Sequence, residues 1–314
     1  MKILVVGAGA LGGYFGGRLL QAGQDVTFLL RPRRAAQIAG NGLVIKSPAG
    51  NAHIPNPPHV LAEDIDVPFD LVIVGCKAYD LASTTDAFAA AVGPDTAILP
   101  LLNGMQHLDL LTDRFGRARV LGGLCLISAA LDDVGTVLHL NEMHTLNFGE
   151  LDGGRSARTD AIATAFATAN FDSAASDNIL QAMWEKWTFI AALAGITTLM
   201  RSCVGDIVSA GGKDLALALL DECAGIAAHN GYAPSTVSME RGRAMVGAAG
   251  SPITASMFKD IERGAPTEAD HILGDLLRRS APASPAVQSM LKIAYAHLKT
   301  YEARRSREEA ARAA

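Results

Sequence analysis

The sequence predicts an α/β protein in two parts: a doubly wound parallel sheet over residues 1–175 and an all-helical domain over residues 176–314. A chain of 314 residues is long enough for two domains, because domains usually contain about 100 to 200 residues. Up to about residue 175, short apolar runs alternate with helical segments, which is typical of a parallel sheet covered on both faces. Beyond residue 176, apolar residues recur three and four positions apart, and this spacing predicts helices.

In the first half, four apolar runs predict buried strands: "KILVV", "DVTFLL", "DLVIVGC" and "TAILPLL". Helices are predicted after them, at about 10–22, 33–39 and 80–92 and from near Asn103. Residues 42–60 are rich in proline and glycine and predict an extended excursion. The runs at 120–140 and 144–151 predict further strands at the edge of the same sheet.

In the second half, helical spacing covers the segments 183–201, 214–231, 257–264, 269–280 and 285–305. The tail after Tyr301 is rich in Arg, Glu and Ala and is typical of a solvated helix end. The uncharged run from Trp187 to Met200 is shorter than the roughly 20 residues that a membrane-spanning helix needs. We therefore expect no membrane span.

The composition is that of a folded soluble protein, with 49% hydrophobic and 19% charged residues. A net charge of −5 offers no electrostatic reason to expect a nucleic-acid partner. The four cysteines show no C-x-x-C spacing, which favours reduced thiols in a cytoplasmic protein and gives no support to a metal site. Glycines interrupt the apolar N-terminus, so we interpret it as part of the fold and not as a signal peptide.

A glycine-rich motif follows the first predicted strand. Gly7, Gly9 and Gly12 have G-x-G-x-x-G spacing at the start of a helix, the context of a Rossmann-type dinucleotide-binding turn. Gly7 permits the tight turn, Gly9 lets a pyrophosphate approach the backbone, and Gly12 lets helix and strand pack closely. The predicted cofactor contacts also include Ala10 and Leu11. The alternative is a glycine-rich turn that binds nothing.

The end of the second strand indicates which dinucleotide is bound. An NAD enzyme usually has an acidic residue there to accept a hydrogen bond from the ribose 2′-hydroxyl, but this strand ends in "FLLRPRR". Arg31, with Arg33 and Arg34 behind it, is suited to bind a 2′-phosphate. The sequence therefore favours NADP over NAD, and the alternative is a solvated basic helix start.

One lysine lies near the start of an otherwise apolar helix. Lys186 in "MWEKWTFIAALAGITTLMR" is followed by no charged residue until Arg201. Burying an ammonium costs several kcal/mol unless it is paired or its pKa falls, so this lysine either extends to solvent or has a function.

Several motifs together closely resemble the ketopantoate reductase (2-dehydropantoate 2-reductase) family. "VGCKAYD" and "LPLLNGMQ" place Lys77 and Asn103 just past two strand ends, which face the cofactor crevice in a doubly wound sheet. They occur in the family's order with "GAGALGGYFG", "WEKW" and "SMFKDIERGAPTEADHILGDLLRR". The resemblance extends from Met1 to about Tyr301, and the order of the motifs is much more specific than any single motif.

The resemblance implies NADPH-dependent reduction of a 2-oxo acid, with ketopantoate as the default substrate, in a cleft between the two domains. It implies that Lys186 is the catalytic lysine, which would stabilise the developing alkoxide and deliver a proton, with a pKa lowered by desolvation. Glu268 would complete the catalytic pair, and Ser256 would bind the substrate. Lys77 and Asn103 would lie near the nicotinamide ribose and the substrate. Without the resemblance, Ser256 could equally be a helix N-cap, and the other two could be ordinary polar loop residues.

The catalytic helix departs from the family at two positions. Family members carry asparagines one and two turns after the lysine, where this chain has Ile190 and Ala194. Loss of both amides removes groups that would hold the hydroxyl and carboxylate of ketopantoate, so the particular substrate is open. Arg201 could replace the carboxylate anchor or could be a solvated residue at the helix end.

Three alternatives remain open at the level of sequence. The first is a reductase of a more apolar 2-oxo acid on the same fold. The second is a β-hydroxyacid dehydrogenase of the 3-hydroxyisobutyrate type, which the motifs "CKAYD" and "LLNGM" disfavour. The third is a non-catalytic NADP-sensing module, which would have no need of Lys186 and Glu268. The resemblance and the long C-terminal helices also suggest a homodimer.

Overall fold

The computed structural model describes residues 1–281 and 289–313. The chain forms two compact units. The first comprises Met1–Leu102 and His107–Leu180, and the second comprises Asn103–Gln106 and Gln181–Ala314. The predicted boundary at 175/176 therefore lies close to the main division. The short segment 103–106 belongs to the second unit, although it lies within the first half of the chain.

The first unit contains ten strands among residues 1–180, all of which are described. In chain order they are β1 (Lys2–Val6), β2 (Asp25–Leu29), β3 (Leu43–Lys46), β4 (Ala52–Ile54), β5 (His59–Val60), β6 (Leu71–Val74), β7 (Ala97–Pro100), β8 (Leu121–Leu131), β9 (Val137–Glu150) and β10 (Asp172–Ala175). The helices that accompany them are α1 (Ala10–Gln21), α2 (Pro32–Asn41), α3 (Leu81–Phe88), α4 (Gln106–Phe115) and α5 (Ala157–Phe166).

Five strands form a parallel sheet in the order β5-β2-β1-β6-β7. β1 is central, and Val6 is paired with Leu29 of β2 on one side and Val74 of β6 on the other. All four residues of β6 and of β7 are buried, which explains their uninterrupted apolar runs, because such strands are covered on both faces. The predicted doubly wound parallel sheet is confirmed.

Helix α1 approaches this sheet very closely because it is rich in glycine. A Cβ atom on Gly16 would lie 2.7 Å from the ring of Phe28 on β2, and one on Gly17 would lie 2.7 Å from Ile45 on β3. A side chain at either position would therefore push the helix away from the strands. The glycines of α1 set the distance between the helix and both sheets of this unit.

The second sheet refines one prediction. β8 and β9 pair antiparallel with each other, and β9 also pairs with β3 and β10. This sheet meets the edge strand β7 of the parallel sheet at a parallel bridge between Ile98 and Val120, the residue before β8. Asp132 closes the turn between β8 and β9, because its Oδ1 accepts hydrogen bonds from the backbone N–H groups of Val134 and Thr136. The predicted extended excursion at 42–60 is confirmed and supplies β3, β4 and β5.

The described residues of the second unit form helices and no strand. In chain order the helices are α6 (Ile179–Met200), α7 (Val204–Ser209), α8 (Lys213–His229), α9 (Thr236–Val246), α10 (Ser256–Glu262), a π-helix (Asp270–Gly274), α11 (Asp275–Arg278) and α12 (Met290–Ala313). The predicted helical segments are confirmed as helical. Residues 285–288 of the segment predicted at 285–305 lie outside the described residues.

Helix α6 is the central element of the second unit. Trp184 and Trp187 are almost fully buried, and Trp184 stacks on Tyr232 with ring centroids 5.4 Å apart. Gly195 allows a close approach, because a Cβ there would lie 2.8 Å from Leu219 of α8 and 3.5 Å from Ala294 of α12. The apolar run of α6 is therefore explained by burial in a helical core. Among the described residues, no helix combines the length and apolar character needed to cross a membrane.

Candidate active site

The glycine-rich turn connects β1 to α1 at the carboxyl end of the parallel sheet. Gly7 adopts φ +87°, a conformation that glycine tolerates and other residues rarely adopt. A Cβ on Gly12 would lie only 2.0 Å from the carbonyl oxygen of Gly7, so the third glycine of the motif is required for this packing. The glycine-rich turn and the first residues of α1 are therefore packed tightly against the end of β1.

The start of α1 fits the pyrophosphate of a dinucleotide. Gly9 is the N-cap residue and provides no side-chain hydrogen bond, and no acidic residue lies in the first helical turn. A Cβ on Gly9 would meet no atom within 4 Å, so the space beside this backbone is open. The N–H groups of Ala10 and Leu11 belong to the first turn of a helix, where they lack intrahelical acceptors and favour an anion.

Other predicted cofactor residues lie at the same edge of the sheet. Arg31 follows β2 and Lys77 follows β6, the two neighbours of β1, and carboxyl ends of parallel strands lie on one edge. Both side chains belong to exposed residues. Arg31 Nη1 lies 3.4 Å from Asp80 Oδ2 as an exposed ion pair, which is worth little in water. A phosphate could compete effectively for such a guanidinium.

The predicted catalytic lysine contacts the predicted substrate asparagine. Lys186, on α6, donates a hydrogen bond from Nζ to Asn103 Oδ1 at 2.8 Å, and both residues belong to the second unit. The side chain is half-buried, so its ammonium is held at a defined position instead of extending freely into water. An amide oxygen orients the ammonium without neutralising its charge.

Residues next to this pair join α6, the loop that contains Asn103 and the π-helix. Trp187 donates from Nε1 to the carbonyl oxygen of Ile272 at 2.9 Å within the core. Gly104, at φ +81°, brings the asparagine loop against the same segment, because a Cβ there would lie 2.8 Å from the carbonyl oxygen of His271. His271 and Ile272 belong to the π-helix, a rare conformation that often occurs at functional sites.

Glu268 precedes the π-helix and is half-buried. Its flanking residues are attached to α12: Thr267 donates to Glu302, and Asp270 accepts from both Tyr295 and Lys299. The segment that carries the carboxylate is therefore fixed on both sides.

Burial favours the neutral form of the histidine beside this carboxylate. Burial lowers the pKa of His271, and this effect outweighs the neighbouring charges of Glu268, Asp275 and Asp270, which raise the pKa. Among the described residues, no cluster of His, Cys, Asp or Glu side chains is arranged to hold a metal ion.

Two family models together match most of the chain. The model described as "Ketopantoate reductase PanE/ApbA" matches residues 3–153, and its C-terminal counterpart matches residues 178–302. The chain belongs to the ketopantoate reductase family. Members of this family are NADP-dependent oxidoreductases that act on small 2-oxo acids. The resemblance predicted from the motifs is confirmed.

Individual relatives cover nearly the full length of this ketopantoate reductase family member. It is 37% identical over 304 residues to the uncharacterized oxidoreductase YkpB of Bacillus subtilis, covering 96% of this chain and 99% of the relative. It is 30% identical to a 2-dehydropantoate 2-reductase of Archaeoglobus fulgidus, covering 88% and 90% of the two chains. The crystal structure of 2-dehydropantoate 2-reductase from Methylococcus capsulatus has 28% identity and a TM-score of 0.84, with 98% of each chain covered.

The substrate side differs from what the family's pattern predicts. Ile190 is half-buried on α6, one turn beyond Lys186, and Ala194 is buried one turn further. Arg201 lies just after the end of α6 at φ +55° and forms an ion pair with Glu262. This pairing accounts for Arg201 as a residue of the helix end and offers no support for a replacement carboxylate anchor.

The N-cap interpretation of Ser256 is wrong. Helix α10 begins at Ser256, the N-cap residue is Ala255, and no side chain caps this helix end. The hydroxyl of Ser256 is therefore not used to terminate the helix, and the residue is exposed. Its predicted contact with substrate stays a prediction.

The residues around Lys186 that position α6 were not predicted from the sequence. Trp187 was visible beside the lysine, but nothing in a sequence reveals that its indole N–H bonds to a carbonyl 85 positions away. The positive φ of Gly104 and the π-helix carry no sequence pattern of their own. Only the glycine after Asn103 could have signalled a close backbone approach.

We expect Gly9→Ala and Gly12→Ala to separate binding from stability. Gly12→Ala should lower the free energy of unfolding by about 1 to 3 kcal/mol, because its methyl overlaps the Gly7 carbonyl. Gly9→Ala should leave the melting temperature unchanged but weaken NADPH binding, because its methyl points into the open space that the phosphates would enter. Thermal denaturation and fluorescence titration measure both effects. A Gly9→Ala protein that binds NADPH like wild type would contradict the phosphate assignment.

Proposed function

We propose that this protein uses NADPH to reduce a 2-oxo acid to the corresponding 2-hydroxy acid, with ketopantoate as the default substrate and pantoate as its product. The observation that carries the proposal is the hydrogen bond from Lys186 Nζ to Asn103 Oδ1. It places a half-buried ammonium beside the loop that follows β7, in a chain whose first unit has a dinucleotide-binding turn. A positioned ammonium can stabilise the developing alkoxide and donate the proton that reduction of a carbonyl needs.

The reaction needs a hydride at C2 of the substrate and a proton at its carbonyl oxygen. NADPH supplies the hydride when it is bound. Lys186 stabilises the negative charge that develops on the oxygen and transfers its Nζ proton there, which yields the hydroxyl. Because an ammonium has three N–H groups, its bond to Asn103 does not prevent donation to the substrate.

The remaining predicted residues have supporting positions. Glu268 is held in a segment attached to α12, and we propose that its carboxylate helps to orient the lysine and the substrate. Ser256 is exposed at the start of α10 and is proposed to bind the carboxylate or hydroxyl of the substrate. Lys77 is proposed to contact the nicotinamide ribose from the end of β6. The homodimer, the cytoplasmic location and the assignment to pantothenate biosynthesis remain predictions.

A non-catalytic NADP-sensing module is the alternative of a different class. Such a module would bind NADPH, but no 2-oxo acid would be reduced and NADPH would not be consumed. A panel of 2-oxo acids, assayed by loss of NADPH absorbance, distinguishes the two functions. If no member of the panel is reduced, the proposed reductase activity is contradicted and the NADP-sensing function is supported.

We expect Lys186→Ala to lower kcat by about 10² to 10⁴, the range typical for loss of a positioned acid. The dissociation constant of NADPH should be unchanged, because the phosphate turn lies in the first unit and Lys186 in the second. Steady-state kinetics and NADPH titration measure the two quantities. Lys292→Ala, an exposed lysine on α12, is the matched control and should behave like wild type. If Lys186→Ala has the same kcat as the wild-type protein, Lys186 has a structural role and not a catalytic one.

We expect Arg31→Ala to convert an NADPH-selective protein into one that distinguishes the dinucleotides poorly. Loss of a hydrogen bond to a charged group costs about 1.5 to 3 kcal/mol, so NADPH should bind roughly 10- to 150-fold more weakly while NADH is unaffected. Arg241→Ala, which removes an exposed arginine of α9 in the second unit, is the control. Equal use of NADH and NADPH by the wild-type protein would show that the 2′-phosphate is not recognised at Arg31.

The substrate preference should reflect the apolar residues on α6. If Ile190 and Ala194 line the substrate pocket, they cannot bond a substrate hydroxyl, and an apolar pocket discriminates only weakly between substrates with and without one. We expect unhydroxylated branched 2-oxo acids to be reduced with kcat/KM near or above that for ketopantoate. The double variant Ile190→Asn/Ala194→Asn should shift the preference toward ketopantoate. A wild-type preference for ketopantoate of about a hundredfold, roughly 2.7 kcal/mol, would show that other residues supply these hydrogen bonds.

A further inference from the structure

Arg34 contacts the glycine-rich turn from behind. It lies in the first turn of α2, and its Nε donates to the carbonyl oxygen of Ala8 at 2.9 Å. Ala8 lies between Gly7 and Gly9 and is almost fully buried. The side chain therefore turns away from solvent and toward the backbone that surrounds the proposed phosphate site, in contrast to the exposed Arg31 and Arg33.

The guanidinium of Arg34 fits closely among its neighbours. Nη1 lies 3.3 Å from Gln37 Oε1, on the same helix. On the other side is the turn between β8 and β9, where a Cβ on Gly135 would lie 2.2 Å from Nη1. Gly135 thus leaves room for the guanidinium and adopts φ +89°, which glycine accepts without strain. Arg34 links three segments of the first unit: the phosphate turn, α2 and the β8–β9 turn.

The charge of Arg34 is only weakly compensated. Nη2 is buried without a hydrogen-bond partner, and among residues 1–281 and 289–313 no carboxylate forms a salt bridge with Arg34. Burial lowers the pKa of Arg34, while the more distant charge of Asp132 raises it. An arginine nevertheless stays protonated in proteins. A positive charge with little solvent around it acts over a longer distance than an exposed one.

We propose that Arg34 is a positioning residue for the pyrophosphate of the bound dinucleotide. By holding the Ala8 carbonyl, it keeps that oxygen turned away from the anion and leaves the N–H groups at the start of α1 directed at the phosphates. Its charge adds to the positive potential of the turn from the side opposite to the ligand. This inference rests on the proposed binding of NADPH. It assigns Arg34 to the pyrophosphate, which NADPH and NADH share.

The test compares three probes: NADPH, NADH and 2′-AMP, which has the 2′-phosphate but no pyrophosphate. Dissociation constants are measured by calorimetric titration on the whole protein, with the melting temperature as a check on folding. We expect Arg34→Gln to weaken the binding of NADPH and of NADH by the same factor, about tenfold. The dissociation constant of 2′-AMP should not change. Arg31→Ala is the matched comparison and should weaken NADPH and 2′-AMP but not NADH.

Two results would overturn the inference. If Arg34→Gln weakens NADPH and 2′-AMP but not NADH, Arg34 is a direct ligand of the 2′-phosphate; if it changes none of the three, its contact with Ala8 is only structural. If Arg34→Gln fails to fold, Arg34→Lys is used, because lysine retains the charge but lacks the forked donor of arginine. The inference is then judged by the same pattern of dissociation constants for the three probes. A wild-type protein that binds neither dinucleotide would overturn the proposed cofactor along with this inference, whereas the variant results bear on Arg34 alone.

Discussion

The parallel pairing of β1 with β2 and β6 is the constraint on which the cofactor half of the molecule depends. A central strand buried on both faces must be apolar throughout, so polar groups begin only where the strand ends. Parallel neighbours end at the same edge, and this brings together the turn at Gly7, Arg31 after β2 and Lys77 after β6. The close approach of Gly12 to Gly7 then fixes the start of α1 at this edge. Backbone geometry, more than any side chain, thus supports the proposed binding of a phosphate at this edge.

The second unit meets a different physical problem, which is to hold a charged side chain in a nearly apolar helix. Lys186 is half-buried, although its neighbours Trp184 and Trp187 on α6 are almost fully buried. Asn103 accepts from its ammonium, and the neighbouring Trp187 is anchored to the carbonyl of Ile272. Because this anchor is itself buried, the orientation of α6 about its axis is set one residue away from the charge. A positioned ammonium is what separates a catalytic lysine from one that moves freely in water.

Where the sequence left two interpretations open or its prediction was wrong, long-range or local pairing outweighed the pattern. The strands β8 and β9 have the apolar character of sheet strands, but the turn closed by Asp132 pairs them antiparallel with each other, and their link to the parallel sheet is the bridge between Val120 and Ile98. Ser256 has the residue type of an N-cap, yet the helix begins one position earlier than that interpretation requires. Arg201 could have bound a carboxylate from a substrate, but Glu262 supplies one from the protein. In each case the residue type was compatible with two partners, and only their spatial proximity distinguished them.

The alternation of strands and helices, the glycine-rich turn, the absence of an acid after β2 and the lysine on α6 could all be predicted from the sequence. These features depend on local periodicity and on the conformational freedom of glycine, which are properties of short segments. Folding in three dimensions was needed to show that residues 103–106 belong to the helical unit, that Lys186 contacts Asn103 and that Arg34 contacts Ala8. Those contacts join residues 26 and 83 positions apart, and no local pattern specifies which distant groups a folded chain brings within hydrogen-bonding distance.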